Sequence, residues 1–222
     1  MKGIFNLRPP KARYSHIWDV TVLFEYLKSL GPNEHLSLKL LTPKLVTLVA
    51  ITTGQRCHAI ALMNISCVQA VDKGLKFMLE TPTKTSKPGG SRVDITIIAY
   101  PYDPLLCVMS ALKLYLVNTK LFRGSKKRLF LSYVPPHKEV GSQTVSRWVK
   151  SVLANAGINT NIFSAHSTRA ASCSAALRKG TPLNTIFKAA GWTRSSTFAK
   201  FYHKSVTDSQ STFAENILKQ SE

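Results

Sequence analysis

Thr42-Pro-Lys-Leu-Val-Thr-Leu-Val-Ala-Ile-Thr-Thr-Gly-Gln-Arg56 is the stretch around which the rest of the chain can be read. Thr42-Pro43 has the form of a helix N-cap followed by proline at the first helical position, where a missing N–H costs nothing. The helix predicted from there to about Thr52 is apolar nearly all round, so it belongs in the interior. Gly54 stops it, and Arg56 begins the next short turn of helix.

Upstream, residues 1–14 are rich in proline and basic side chains and read as a linker. Helical periodicity begins near Ser15, with Ile17, Val20, Phe24, Leu27 and Leu30 at steps of three and four, and Gly31-Pro32 ends it. Downstream the period changes. Ile65–Val71, Leu75–Glu80 and Val93–Ala99 read as three strands, the first two joined by a tight turn at Asp72-Lys73-Gly74. The second connection, Thr81 to Arg92, is long, basic and rich in Gly, Pro and Ser, which marks a functional loop or a disordered one.

Helical signals then return. Asp103-Pro104 opens a helix to about Asn118, and Leu129–Val134 is a short extended piece before Pro135-Pro136. Thr144 to Ala156 is a helix with Val145, Trp148, Val149 and Val152 on one side. Ser164 caps a helix to Lys179, and Thr181-Pro182 opens another to about Ala190. A helix from Ser195 carries Phe198, Phe201 and Tyr202, and an amphipathic tail helix with Phe213, Ile217 and Leu218 fills residues 206–222. The predicted fold is α+β and mostly α-helical, with one small three-stranded antiparallel sheet, its main domain spanning residues 15–205.

The 222 residues are 44% hydrophobic, enough for a sizeable core. Thirty Lys and Arg stand against eleven Asp and Glu, a formal charge of +19. That imbalance asks for a polyanionic partner, most simply nucleic acid, with a ribosome-associated or anionic-membrane protein as the plainer reading. The basic residues are spread along the chain, so folding has to assemble a basic face, which suits a grip on the backbone of duplex DNA. Cys57, Cys67, Cys107 and Cys173 show no metal-ligand spacing, so no metal and no cofactor is expected, and their apolar neighbourhoods suggest reduced core thiols of an intracellular protein. The N-terminus lacks the apolar core of a signal peptide and no apolar run reaches membrane-spanning length.

Four short boxes carry the chemistry: Thr53-Gly-Gln-Arg56, His166-Ser-Thr-Arg169, Gly191-Trp192 and Phe201-Tyr202-His203. A phosphodiester repels nucleophiles, and its transition state gathers charge on the non-bridging oxygens. Cleavage needs fixed cations around those oxygens, a nucleophile, and an acid for the leaving 5′ oxygen. Arginine suits the clamp, because its planar fork binds two phosphate oxygens and stays charged. A tyrosine nucleophile conserves the bond energy as a phosphotyrosyl ester.

In this order and spacing the boxes resemble those of the tyrosine recombinases, the phage-integrase-type family, over about residues 12 to 205. The run from His166 to Tyr202, with Ala170-Ala171, Lys188-Ala-Ala-Gly-Trp192 and Ser196-Thr-Phe198, is most similar to recombinases of eukaryotic mobile elements of the DIRS-like, Ngaro-like and Crypton types. The resemblance implies that Arg56 and Arg169 clamp the scissile phosphate. It implies that His166 accepts the tyrosine proton or hydrogen-bonds the phosphate, that Trp192 contacts the phosphate and packs the site, and that Tyr202 attacks. Relatives carry a general-acid lysine in the strand-to-strand loop; here Lys84 in Thr-Lys-Thr is the choice and Lys87 the alternative. Lys87, Arg92, His203 and Lys204 are further candidates to touch DNA. The implied partners are double-stranded DNA and further copies of the chain, as dimer or tetramer, and a eukaryotic host would imply the nucleus, any other the cytoplasm or nucleoid.

Two departures accompany the resemblance. Relatives often carry an acid three positions after the first arginine, where this chain has Ala59. They also carry a DNA-grasping domain in front, whereas only residues 1–31 precede the core here, so the chain reads as a catalytic half. Each residue has a plainer reading as well: Tyr202 as a packed aromatic beside Phe198 and Phe201, His166 as a cap, Arg56 as a helix-end cation, Trp192 as core and the Lys84 loop as solvated surface. The expected function is DNA strand cleavage and rejoining in site-specific recombination. A non-catalytic DNA-binding remnant is the rival, and a tyrosine-type topoisomerase the third reading.

Overall fold

The computed structural model describes residues 14–80, 94–191 and 206. These form α1 (Val20–Ser29), α2 (Leu38–Thr53), α3 (Cys57–Ala61), β1 (Val68–Val71), β2 (Gly74–Met78), β3 (Asp94–Ile98), α4 (Val108–Arg123), α5 (Ser142–Asn155), α6 (Ser167–Arg178) and α7 (Leu183–Ala190), with a 3-10 turn at Asn33–His35. The architecture is mostly helical with one antiparallel sheet in the order β1-β2-β3. The basic loop 81–92, the helix from Ser195 and the tail helix lie outside the described residues, Val206 excepted.

α2 is the centre of the packing: α4, α5 and α6 all lie against it. Leu41, Leu45, Val46, Leu48 and Val49 have no exposed surface, as an all-round apolar helix requires. The helix begins a turn earlier than Thr42-Pro43 suggested. Ser37 is the cap, with Leu41 N–H donating to its carbonyl at 2.8 Å, and Pro43 sits inside the helix. The apolar spacing that runs back through Leu41 to Leu38 explains this extension, since burying that extra turn outweighs one lost backbone bond. That bond would have ended on the carbonyl of Lys39, an exposed residue. Thr42 is therefore a buried helical residue, whose hydroxyl has no partner among the described residues.

Three further boundaries move for identifiable reasons. α1 starts at Val20, because Asp19 Oδ1 accepts the Thr21 N–H at 2.9 Å and so caps the helix. Ahead of it, Tyr14, Ile17 and Trp18 are buried in non-helical backbone, so Tyr14 belongs to the core and not to a linker. Asp103-Pro104 makes a turn, with Leu105 N–H on Asp103 Oδ1, but α4 begins only at Val108 and runs on to Arg123. Ser164 does not cap α6 with its side chain; its hydroxyl is taken by Tyr14, and the cap position falls to His166.

The sheet buries one face. Phe77 pairs with Ile95, and both, with Ile97, are essentially covered, while Met78 and Ile98 point outward. The strands are shorter than predicted: Ile65 is held to Lys127 by a backbone bond outside the sheet. Two cations lie in the interior. Lys44 has no exposed surface and donates to the Gly31 carbonyl at 3.2 Å, and burial pulls its ammonium below the usual lysine range. Arg123 donates to the carbonyls of Arg128 and Leu129 and to Thr119, and fastens the 128–131 stretch beneath α4.

Candidate active site

The box Thr53-Gly-Gln-Arg56 is a turn between the end of α2 and the start of α3. Gly54 adopts left-handed backbone (φ 60°, ψ 20°) and donates to Ala50, closing α2. A Cβ at this position would sit 3.3 Å from Ser172 Oγ and 3.5 Å from Ala190 Cβ, so the turn is pressed against α6 and α7. Its carbonyl accepts Arg169 Nη1 at 2.6 Å. Arg169 stands on the first turn of α6 and is only 1% exposed. Gln55, also buried, donates from Nε2 to the Ala189 carbonyl at 2.8 Å, which satisfies one of the orphan acceptors at the end of α7.

Two boxes far apart in sequence are thereby joined with the end of α7 at one point. Arg56 is the N-cap residue of α3 and half-buried, with extended backbone (φ −77°, ψ 146°). Its Cα lies within about 7 Å of the carbonyl-bearing Gly54 residue that Arg169 grips. His166 is half-buried at the N-cap of α6, three residues before Arg169, and makes no side-chain capping bond. Gly191 closes α7 in left-handed backbone (φ 66°), so the Gly191-Trp192 box follows directly from the helix end that Gln55 holds. Cys173 lines the same junction, where burial raises its thiol pKa against the opposing pull of the Arg169 charge.

Of the sequence-predicted residues, Arg56, His166 and Arg169 are described, and they stand on elements braced against one another. Lys84, Lys87, Arg92, Trp192, Tyr202, His203 and Lys204 lie outside the described residues. Cys107 and Cys173 are buried as core thiols, whereas Cys57 and Cys67 are only half-buried. Ala59, where relatives often have an acid, is 4% exposed on α3. The residue that sequence reading passed over is Gln55, whose position beside a glycine gives no sign that its amide closes a contact 134 residues away.

The ion pairs Lys28–Asp103, Lys76–Asp94 and Arg128–Glu139 lie elsewhere. A cleft lined by Tyr26, Lys39, Tyr133, Arg147 and Trp148 is at the other end of α2, and among the described candidates none of Arg56, His166 and Arg169 lines it. Among the described residues, no group of three or more His, Cys, Asp or Glu could hold a metal ion. No described helix is long and apolar enough to cross a membrane.

The phage integrase family profile matches residues 25–208. No curated protein matches the chain in sequence. Among solved structures the fold is similar to the XerH site-specific recombinase bound to difH substrate in a pre-cleavage complex, with a TM-score of 0.67 and 14% identity over 94% of this chain and 54% of that one. It is similar to XerA recombinase, with a TM-score of 0.60 and 18% identity over 98% of this chain and 68% of that one. A lambda integrase dimer bound to a COC′ core site gives 0.55 and 18% over 90% and 49%. The chain thus spans about half the length of XerH and of lambda integrase. At these identities the likeness is one of fold.

Proposed function

The chain belongs to the phage integrase family, and from that premise we propose that it cleaves and rejoins duplex DNA through a 3′-phosphotyrosyl intermediate. We place that activity in the site-specific recombination or integration of a eukaryotic mobile element of the DIRS-like, Ngaro-like or Crypton type. The observation that carries the reading is the Arg169–Gly54 bond at 2.6 Å, which draws the two arginine boxes into one structure. The charge of +19 suits a DNA partner.

In this reaction the Tyr202 oxygen bonds to phosphorus and the bond from phosphorus to the 5′ oxygen breaks. His166 takes the phenol proton, and Lys84, or Lys87 beside it, supplies a proton to the leaving 5′ oxygen. Arg56 and Arg169 hold the non-bridging oxygens while negative charge builds on them. Attack by a 5′ hydroxyl reverses the step and reseals the strand with no outside energy source. Trp192 packs the phosphate, and Lys87, Arg92, His203 and Lys204 grip the flanking DNA. The active unit is a dimer or tetramer on DNA, by analogy with the lambda integrase dimer named above.

One observation favours a second reading, a DNA-binding remnant without chemistry: the apolar Ala59 buried where relatives often place an acid. Covalent attachment separates the two. A nicked, end-labelled duplex from the ends of the protein's own genomic locus is mixed with wild type and with Tyr202→Phe, then run on a denaturing gel. A shifted band in wild type alone is the expected result. Binding without a band in either protein would leave the remnant reading in possession.

A further inference from the structure

The start of α6 carries both His166 and Arg169, yet His166, its cap residue, contributes no side-chain capping bond. The two serines that flank His166 are engaged instead by residues about 150 positions away. Ser164 Oγ shares a hydrogen bond of 2.9 Å with Tyr14 Oη, and the Ser164 N–H donates to the same Tyr14 oxygen at 3.3 Å. Ser167 Oγ accepts Trp18 Nε1–H at 2.8 Å. The rings of Tyr14 and His16 also pack on Phe163, at centroid distances of 5.4 and 5.6 Å. Tyr14, Trp18, Phe163 and Ser167 are all buried.

We propose that the strap of residues 14–18 is a positioning device for the candidate active site, with Tyr14 and Trp18 setting the placement of His166 and Arg169 through Ser164 and Ser167. An indole N–H is donor-only and rigidly mounted, so its bond fixes the direction of the Ser167 hydroxyl as well as its distance. Ser164 and Ser167 bracket His166 in sequence, so the strap holds both sides of that residue. Arg169 lies two residues beyond Ser167 and reaches Gly54 from there. A slide or turn of this first helical turn would carry both functional heads off their targets together, and misplacement of about 1 Å costs about a hundredfold in rate. The proposal rests on the reading of His166 and Arg169 as phosphate-handling groups.

The test uses the full chain. Trp18→Phe and Ser167→Ala, singly and together, remove the donor or the acceptor, the first also leaving a small void; Val152→Ala, a cavity elsewhere in the core, controls for lost packing and stability. Two quantities are measured: the single-turnover rate of adduct formation on saturating nicked duplex, and the NMR resonances of the His166 ring in the protein alone. Each single variant is expected to slow adduct formation by about ten- to hundredfold with DNA affinity unchanged. The double variant should be no slower than the worse single one, and the His166 resonances should move in these proteins but not in Val152→Ala. Should Trp18→Phe fail to fold, Tyr14→Phe, which loses only a hydroxyl, takes its place.

Rates that fall no further than in Val152→Ala overturn the proposal, and so do losses that add in the double variant. A wild type that forms no adduct overturns the recombinase reading instead. The NMR readout then decides the strap alone: moved His166 resonances support it and unmoved ones overturn it.

Discussion

Arg169 donates from Nη1 to the carbonyl of Gly54 across 115 residues of sequence, at 2.6 Å and almost wholly out of solvent. Taking a guanidinium out of water is costly, and stability alone would be served as well by an apolar side chain of similar volume. A carbonyl holds a guanidinium by its dipole and does not neutralise it. Such a bond orients the guanidinium, as the proposed grip on a phosphate would require.

Arg169→Lys tests that orientation. The ammonium keeps the charge but is a point donor without the planar fork. Cleavage in a single-turnover assay is expected to fall by about a hundred- to a thousandfold, equivalent to ~2.7–4 kcal/mol of transition-state stabilisation. DNA affinity in a gel-shift titration should change little, because many other cations contribute to it.

Gly54→Ala should cost more than the same change at another left-handed glycine. Both Gly54 (φ 60°) and Gly157 (φ 82°) impose a backbone penalty of about 1–2 kcal/mol on alanine. At Gly157 the new methyl meets open space, whereas at Gly54 it meets Ser172 Oγ at 3.3 Å. Urea denaturation should show the larger loss for Gly54→Ala. Cleavage should also fall for that variant and stay unchanged for Gly157→Ala.

Gln55→Leu keeps much of the side-chain volume and removes the donor to Ala189. Ala189 is an exposed residue whose freed carbonyl water can reach, so the loss expected in denaturant unfolding is the net worth of one hydrogen bond, about 0.5–1.5 kcal/mol. An unchanged midpoint would mean that the bond contributes nothing to holding α7 against the turn.

Lys44 gives a pH signature. Its pKa is lowered in the folded state because burial disfavours the ammonium. The unfolded chain therefore binds the extra proton between the lowered value and the ordinary 10.5, and wild-type stability should rise with pH through that window. Lys44→Met lacks this contribution. The stability of wild type relative to Lys44→Met should increase as pH is raised from 7 towards 10, in thermal melts at each pH. A constant difference would show that the ammonium carries no burial cost.

Much of the fold was legible because its signals are local. The all-round apolar run Leu45–Ile51 could only be interior, and Gly54 as a stop follows from its freedom at positive φ. Val93–Ala99 read as a strand, and Asp94–Ile98 is one, with Ile95 and Ile97 on its buried face. Two of the misplaced boundaries share one cause: Thr42-Pro43 and Ser164 each have the chemistry of a cap, but distant partners decided whether the cap was used. Tyr14 took the Ser164 hydroxyl, and packing around Leu41 lengthened α2 past its proline.

By itself the sequence determined which residue types were on hand for chemistry, and that they come in short boxes at helix ends, because capping and periodicity act over a few residues. Only the tertiary structure decided that Arg169 lands on the Gly54 carbonyl, that Gln55 closes onto Ala189, and that Tyr14 and Trp18 brace either side of His166. Those contacts span 115 to 150 residues. They depend on how α6 packs against α2 and α7 against α6, which burial of the whole core sets and no local pattern encodes.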